Sequence, residues 1–201
     1  MKKIILIASL LSVAAFGTAQ AAGDAAAGKA KAAVCGACHG ADGNSPAPNF
    51  PKIAGQHAGY SAKQLREFKS GVRKDATMVG MVAPLSDADM DDLAAYFAEQ
   101  KIAAGKAQPE KVALGEQIYR AGNAASGVSA CSACHAPNGA GNPQAGFPQL
   151  GGQHAMYTAT QLKNFRSGAR NNDASAMMQN IAAKMTDAEI DAVASYIEGL
   201  H

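Results

Sequence analysis

Tryptophan is absent from this chain of 201 residues and aromatic residues make up only 5% of it, so large rings cannot furnish much of its core. A small protein built this way gains from a bound group that completes its interior. No stretch alternates polar and apolar residues convincingly enough to read as strand, which leaves an all-helical chain. Beyond the N-terminus no segment is long and apolar enough to cross a bilayer. Neither sign of charge dominates, with 18 Lys and Arg against 16 Asp and Glu, so no nucleic-acid partner is expected. Nor is any cysteine left over, because the chain has 4 and all of them fall in two short motifs.

The N-terminus reads as an export signal. Met1-Lys2-Lys3 is followed by an apolar run from Ile4 to Phe16 and by the small-residue ending Ala19-Gln20-Ala21. That order predicts a signal peptide over residues 1–21 and a mature protein starting near Ala22 in the periplasm. An uncleaved anchor is the alternative, but the apolar run is short for a span. Loss of Lys2 and Lys3 leaves 16 basic against 16 acidic side chains.

The two cysteine motifs are Cys35-Gly36-Ala37-Cys38-His39 and Cys131-Ser132-Ala133-Cys134-His135. Both have the C-x-x-C-H pattern, in which two thiols add across the vinyl groups of a haem and the adjacent histidine binds the iron. Two covalently attached c-type haems are therefore expected, with Cys35, Cys38, Cys131 and Cys134 as attachment sites and His39 and His135 as proximal ligands. Around the motifs the chain repeats itself: Phe50-Pro51 to Tyr60 matches Phe147-Pro148 to Tyr157, and Ser70-Gly71-Val72-Arg73 matches Ser167-Gly168-Ala169-Arg170. Each repeat predicts a first helix (about Asp24 to Val34, and from Pro109), a middle helix (about Ser61 to Val72) and a last helix. The last begins with a capping box, Ser86 with Asp89 and Thr186 with Glu189. Lys101 to Pro109 reads as a linker, placing the domains at 22–103 and 104–201. The copies differ by an insertion around Gly122 to Ala130 and by a longer loop before Met178.

The second iron ligand decides the chemistry. An open face favours ligand or peroxide chemistry, a second histidine gives a low potential, and a methionine gives a higher one. Candidates are Met78, Met81, Met90 and His57 in the first half, and Met156, Met177, Met178, Met185 and His154 in the second. Counting back from the capping boxes brings only Met78 and Met178 into register. Met177 is the alternative should the longer loop shift by one residue. His57 and His154 also align, as bis-histidine ligands or as hydrogen-bonding residues, while His201 is terminal. A carbonyl near the aligned Pro46 and Pro143 is expected to fix the proximal ring. Tyr60, Tyr157, Arg73 and Arg170 are candidates for contacts to haem propionates, and Gly28 and Gly115 face Tyr96 and Tyr196 at a close helix crossing.

Ala22-Gly23-Asp24, the run Asn44-Ser45-Pro46-Ala47-Pro48-Asn49-Phe50-Pro51, His135-Ala136-Pro137-Asn138-Gly139 and the ending Ser195-Tyr196-Ile197-Glu198-Gly199-Leu200-His201 resemble the cytochrome c4 family, the dihaem branch of the class I c-type cytochromes. The resemblance covers essentially the whole mature chain. It implies two tandem cytochrome c-like haem domains related by internal duplication, His/Met ligation of both irons, and Met78 and Met178 at the ligand positions. It further implies a periplasmic electron carrier, often peripherally membrane-associated, that takes electrons transiently from a redox protein donor and feeds a terminal oxidase. Two other readings stand beside it. A dihaem peroxidase needs one exchangeable iron face, and a zinc or dithiol protein needs the cysteines for itself.

Overall fold

The computed structural model describes residues 23–201; the signal segment lies outside the described residues. Among these residues the regular elements are all helices, joined by turns and loops that carry two isolated antiparallel bridges, Asn123 with Val128 and Asn142 with Phe147. In chain order the helices of the first half are α1 (Ala25–Lys31), α2 (Ala33–His39), α3 (Ala58–Ser70), α4 (Ala76–Val82) and α5 (Asp87–Ala98). Those of the second are α6 (Pro109–Ala121), α7 (Ser132–His135), α8 (Ala155–Ser167), α9 (Met177–Ala182) and α10 (Asp187–Gly199). No helix among the described residues is long and apolar enough to cross a membrane.

The first and last helices of each half cross closely, α1 on α5 and α6 on α10. Gly28 and Gly115 make this possible, as their sequence positions suggest. A Cβ on Gly28 would lie 2.0 Å from the Asp92 carbonyl oxygen and 2.9 Å from Tyr96 Cβ. On Gly115 it would lie 2.4 Å from the Ala192 oxygen and 2.7 Å from Tyr196 Cβ. Both capping boxes form: Ser86 and Thr186 accept from the backbone N–H of Asp89 and Glu189, whose carboxylates accept from the capping residues in return.

Two expected elements change shape. The predicted helix from Asp24 to Val34 is two helices that meet at Ala32, the second running on through the first cysteine motif. The middle helices start earlier than Ser61, because the His57 carbonyl already accepts from Ser61 N–H (2.9 Å). Their ends come at Gly71 and Gly168, both left-handed. The linker is tied to both halves: Asn44 accepts from Ala103 N–H (2.8 Å) and Ser195 Oγ from Gln108 N–H (2.9 Å).

The two cores are unequal. In the second half Ile118, Tyr119, Val128, Met185, Ile190, Val193, Tyr196, Ile197 and Leu200 form one buried cluster. The corresponding cluster of the first half is Ala32, Leu93 and Phe97. Part of the difference comes from the insertion, since Val128 packs into the larger cluster and Asn123 donates to Glu189 Oε1 (2.7 Å). That bond, with those from Thr186, holds the Glu189 carboxyl below its ordinary value of 4.5. The folded state therefore favours the ionised form, and its contribution is complete above the ordinary value and lost as pH falls through the depressed one. Denaturant unfolding between pH 3 and 7 should show stability falling on acidification. Asn123→Ala should flatten that slope and cost about 1 kcal/mol at pH 7.

Candidate functional site

The first cysteine motif ends α2 and the second makes up α7 with its N-cap Cys131, and each delivers its histidine at the point where the chain turns away. The helix stops immediately afterwards because the next residue is left-handed: Gly40 (φ 80°) in one half and Ala136 (φ 65°) in the other. Tyr119 braces the second turn by donating to the Ala136 carbonyl (2.6 Å). None of the four cysteines is in a disulfide. Burial pushes the Cys35 thiol up and that of Cys131 up to about 11, so both are neutral near pH 7. Among the described residues no group of three or more His, Cys, Asp or Glu side chains is placed to hold a metal ion. Structural zinc needs four such donors with thiolate sulfur, so the arrangement suits thiol addition better than a zinc site.

His39 and His135 are 8% and 7% exposed. Each ring is fixed by a carbonyl on Nδ1: Pro51 at 2.8 Å for His39 and Pro148 at 2.9 Å for His135. The expected acceptors near Pro46 and Pro143 are thus corrected to a second aligned pair of prolines. The loop folds back so that Pro51 and Pro148, with Phe50 and Phe147 edge-on or tilted at 6.3 and 6.1 Å, reach the ring instead. Burial also pushes both imidazoles below their ordinary value. A neutral ring donating Nδ1–H to a carbonyl keeps a lone pair on Nε2, the state an iron ligand requires.

The methionines separate by environment. Met90 and Met185 are core residues at 0% and 5% exposure, whereas Met81, Met156 and Met177 stand 38%, 54% and 40% exposed. Met78 and Met178 are half-buried and lie in the first turns of α4 and α9. Asp75 accepts from Met78 N–H (2.9 Å) and Asp173 from Met178 N–H (2.7 Å). The longer second loop is taken up by a tight turn over Ala174–Ala176, with Ser175 and Ala176 both left-handed.

The remaining aligned polar residues meet across the two halves. His57 and His154 bond through Nε2 to the carbonyls of Ala140 and Ser45, each at 2.8 Å. Arg73 donates to Tyr157 (2.9 Å) and Arg170 to Tyr60 (2.9 Å), so these four side chains pair crosswise with one another. Burial pushes the Tyr157 phenol up, but the Arg73 and Arg170 guanidiniums outweigh it and leave the phenol below its ordinary value. Each arginine also stacks on a phenylalanine of its own half, Phe68 or Phe165, 4.5 Å from the ring centre. Gln56 and Gln153 complete a near-twofold pattern. Gln56 exchanges two bonds with the Gln149 backbone (2.9 and 3.0 Å), and Gln153 two with that of Lys52 (2.7 and 2.9 Å). The repeated Gly-Gln-His runs carry these residues, although a repeat alone does not reveal that they bond across copies.

The donor set fits a haem in each half: a pair of cysteines and a buried neutral imidazole held with Nε2 free. The slender first core agrees with a bulky group completing it.

The cytochrome c family pattern matches residues 25–101 and again 112–201. Cytochrome c4 of Pseudomonas aeruginosa is 56% identical over 198 residues, covering 98% of each chain. A thiosulfate dehydrogenase electron acceptor of Thiomonas intermedia is 39% identical, over 98% of this chain and 93% of the other. The crystal structure of reduced recombinant cytochrome c4 from Pseudomonas stutzeri superimposes with a TM-score of 0.87 at 54% identity, covering 90% of this chain and 100% of that one.

Proposed function

The chain belongs to the cytochrome c family, in its dihaem c4 branch, and from that premise we propose a periplasmic electron carrier in which His39 and Met78 ligate one iron and His135 and Met178 the other. As a member of this family it is an electron-transfer protein with two covalently attached c-type haems. The observation that carries the ligand assignment is the matched environment of Met78 and Met178, both half-buried with an aspartate on the N–H, while the other methionines among the described residues are core or exposed. We assign Cys35, Cys38, Cys131 and Cys134 to the thioether bonds, the domains to 22–103 and 104–201, and residues 1–21 to the export signal.

Bound at these residues, haem supplies a one-electron ferric/ferrous couple. The chain's own part is to hold that couple. The Pro51 and Pro148 carbonyls fix the tautomer and direction of the proximal rings. Asp75 and Asp173 anchor the backbone from which each methionine extends. Burial of the imidazoles keeps water from them, and a thioether sulfur favours the reduced metal. The crosswise Arg–Tyr and Gln–backbone pairs hold the halves in one relative placement.

With a histidine and a methionine holding each iron, neither would be left free to take peroxide, so the protein would carry electrons without catalysing a reaction of its own. It takes them one at a time from a redox protein donor and passes them to a terminal oxidase. Donors of the thiosulfate dehydrogenase kind are supported by the relative named as their acceptor. A potentiometric titration of the purified holoprotein tests this. Two reversible one-electron steps per chain with no peroxide turnover are expected, and steady peroxide consumption would replace the carrier by an enzyme.

A further inference from the structure

The near-twofold interface is broken in the loop before Met178. Arg73 precedes Met78 by 5 positions, but Arg170 precedes Met178 by 8, and the longer loop carries Asn172, which is only 8% exposed. Its Nδ2 donates to Gln64 Oε1 (2.8 Å) and to Glu67 Oε2 (2.6 Å), both on α3 of the first half. Its Oδ1 accepts from Arg170 Nε (2.9 Å), and its carbonyl accepts from Lys63 Nζ (3.0 Å). Every polar group of the side chain is thus used, and all but one of its partners belong to the other half.

The related place on the first loop is filled differently. There Lys74 and Asp75 face Gln161 and Asn164 of α8 across a cavity of about 40 Å³. Asn164 stands where Glu67 stands in the first half, and contributes its backbone carbonyl to Arg170 N–H (3.0 Å). The first loop therefore has no equivalent of the Asn172 clamp.

What lies between Asn172 and Met178 makes the clamp consequential. Asp173 accepts from Met178 N–H (2.7 Å) and Gln179 N–H (3.1 Å). Ser175 and Ala176 then sit in the left-handed region, at φ 53° and 54°. Two successive non-glycine residues hold that conformation only where both ends of the segment are fixed. At one end α9 is fixed by its packing on α8, and at the other Asn172 is fixed by the first half.

We propose that Asn172, gripped by Gln64 and Glu67 of the first half, is a positioning residue for Met178, so that the bond between Met178 and the second iron depends on contact with the first half. The clamp is the second site's alone: the first loop meets α8 through Arg73, which donates to Tyr157 and Gln161 as Arg170 donates to Tyr60 and Gln64, and has no residue that does what Asn172 does. This rests on Met178 being the ligand.

Cyanide capture by the oxidised full-length holoprotein measures it, because cyanide must wait for the methionine to leave. In the wild type two slow phases are expected, together with a near-infrared sulfur-to-iron band worth two methionines. Asn172→Ala should speed the second-iron phase about tenfold, equal to a barrier lowered by about 1.4 kcal/mol, with the first-iron phase unchanged. Glu67→Ala, a substitution in the first half, should also speed the second-iron phase selectively. Glu67→Gln keeps an acceptor for Asn172 and should stay within about twofold of wild type, as should Asn164→Ala at the related place. Phases are assigned by their loss in Met78→Ala and Met178→Ala. A wild type lacking the second methionine's share of the band removes the ligand assignment, and this inference with it. Both bands present with an unchanged second phase in Asn172→Ala and Glu67→Ala overturn this inference alone, as does equal acceleration of both phases.

Discussion

Replacing Met178 with alanine should drop the potential of the second haem by on the order of 0.1 V or more and leave the first haem where it was. The axial ligand is the largest single control over a haem potential, which it moves across a span of about 0.8 V. Loss of a thioether sulfur that favours ferrous iron lowers the value. The opened iron should bind cyanide at once. Met78→Ala should do the same to the first haem alone. Met177→Ala is the internal control, because that side chain stands 40% exposed beside the ligand position and should leave both potentials unchanged. Spectroelectrochemistry of the three variants reads all of this. A shift in Met177→Ala with none in Met178→Ala would move the ligand by one residue.

Gly115→Ala should destabilise the protein by about 2–3 kcal/mol, the upper part of the range for overpacking. The new methyl would stand 2.4 Å from the Ala192 carbonyl oxygen and 2.7 Å from Tyr196 Cβ, so α6 and α10 must separate to admit it. Their separation also disturbs Tyr196, whose ring lies 5.6 Å from that of Tyr119 and whose hydroxyl accepts from Arg120 (3.2 Å). Gly59→Ala is the contrast. It lies within α3 with nothing within 4 Å of the added carbon, so better helix propensity should stabilise it by about 0.5 kcal/mol. Denaturant midpoints of the two variants should move in opposite directions.

Features set by neighbours in the chain were legible from sequence. The capping boxes at Ser86 and Thr186 and the start of α6 at Pro109 depend on residues a few positions apart, and each has the expected form. The close crossings at Gly28 and Gly115 were legible because the duplication supplied both partners twice. Features set by how loops fold back were not. Pro46 and Pro51 are both repeated, and only the path of the loop decides that the Pro51 carbonyl reaches His39. Duplication also hides whether two repeated residues meet within a copy or between copies. Tyr60 and Arg73 lie in one repeat unit, yet each pairs with the other unit. Asn172 had no signal at all, because it lies in a loop extension with no counterpart against which to align it.

In the proposed assignment both irons are closed by a histidine from the cysteine motif and a methionine from the following loop. The near-infrared sulfur-to-iron band of the fully oxidised holoprotein, quantified against iron, tests it most directly. An intensity of two methionine ligands for two irons is expected, halved in Met78→Ala and halved in Met178→Ala. An intensity of one, or none, in the wild type would contradict it.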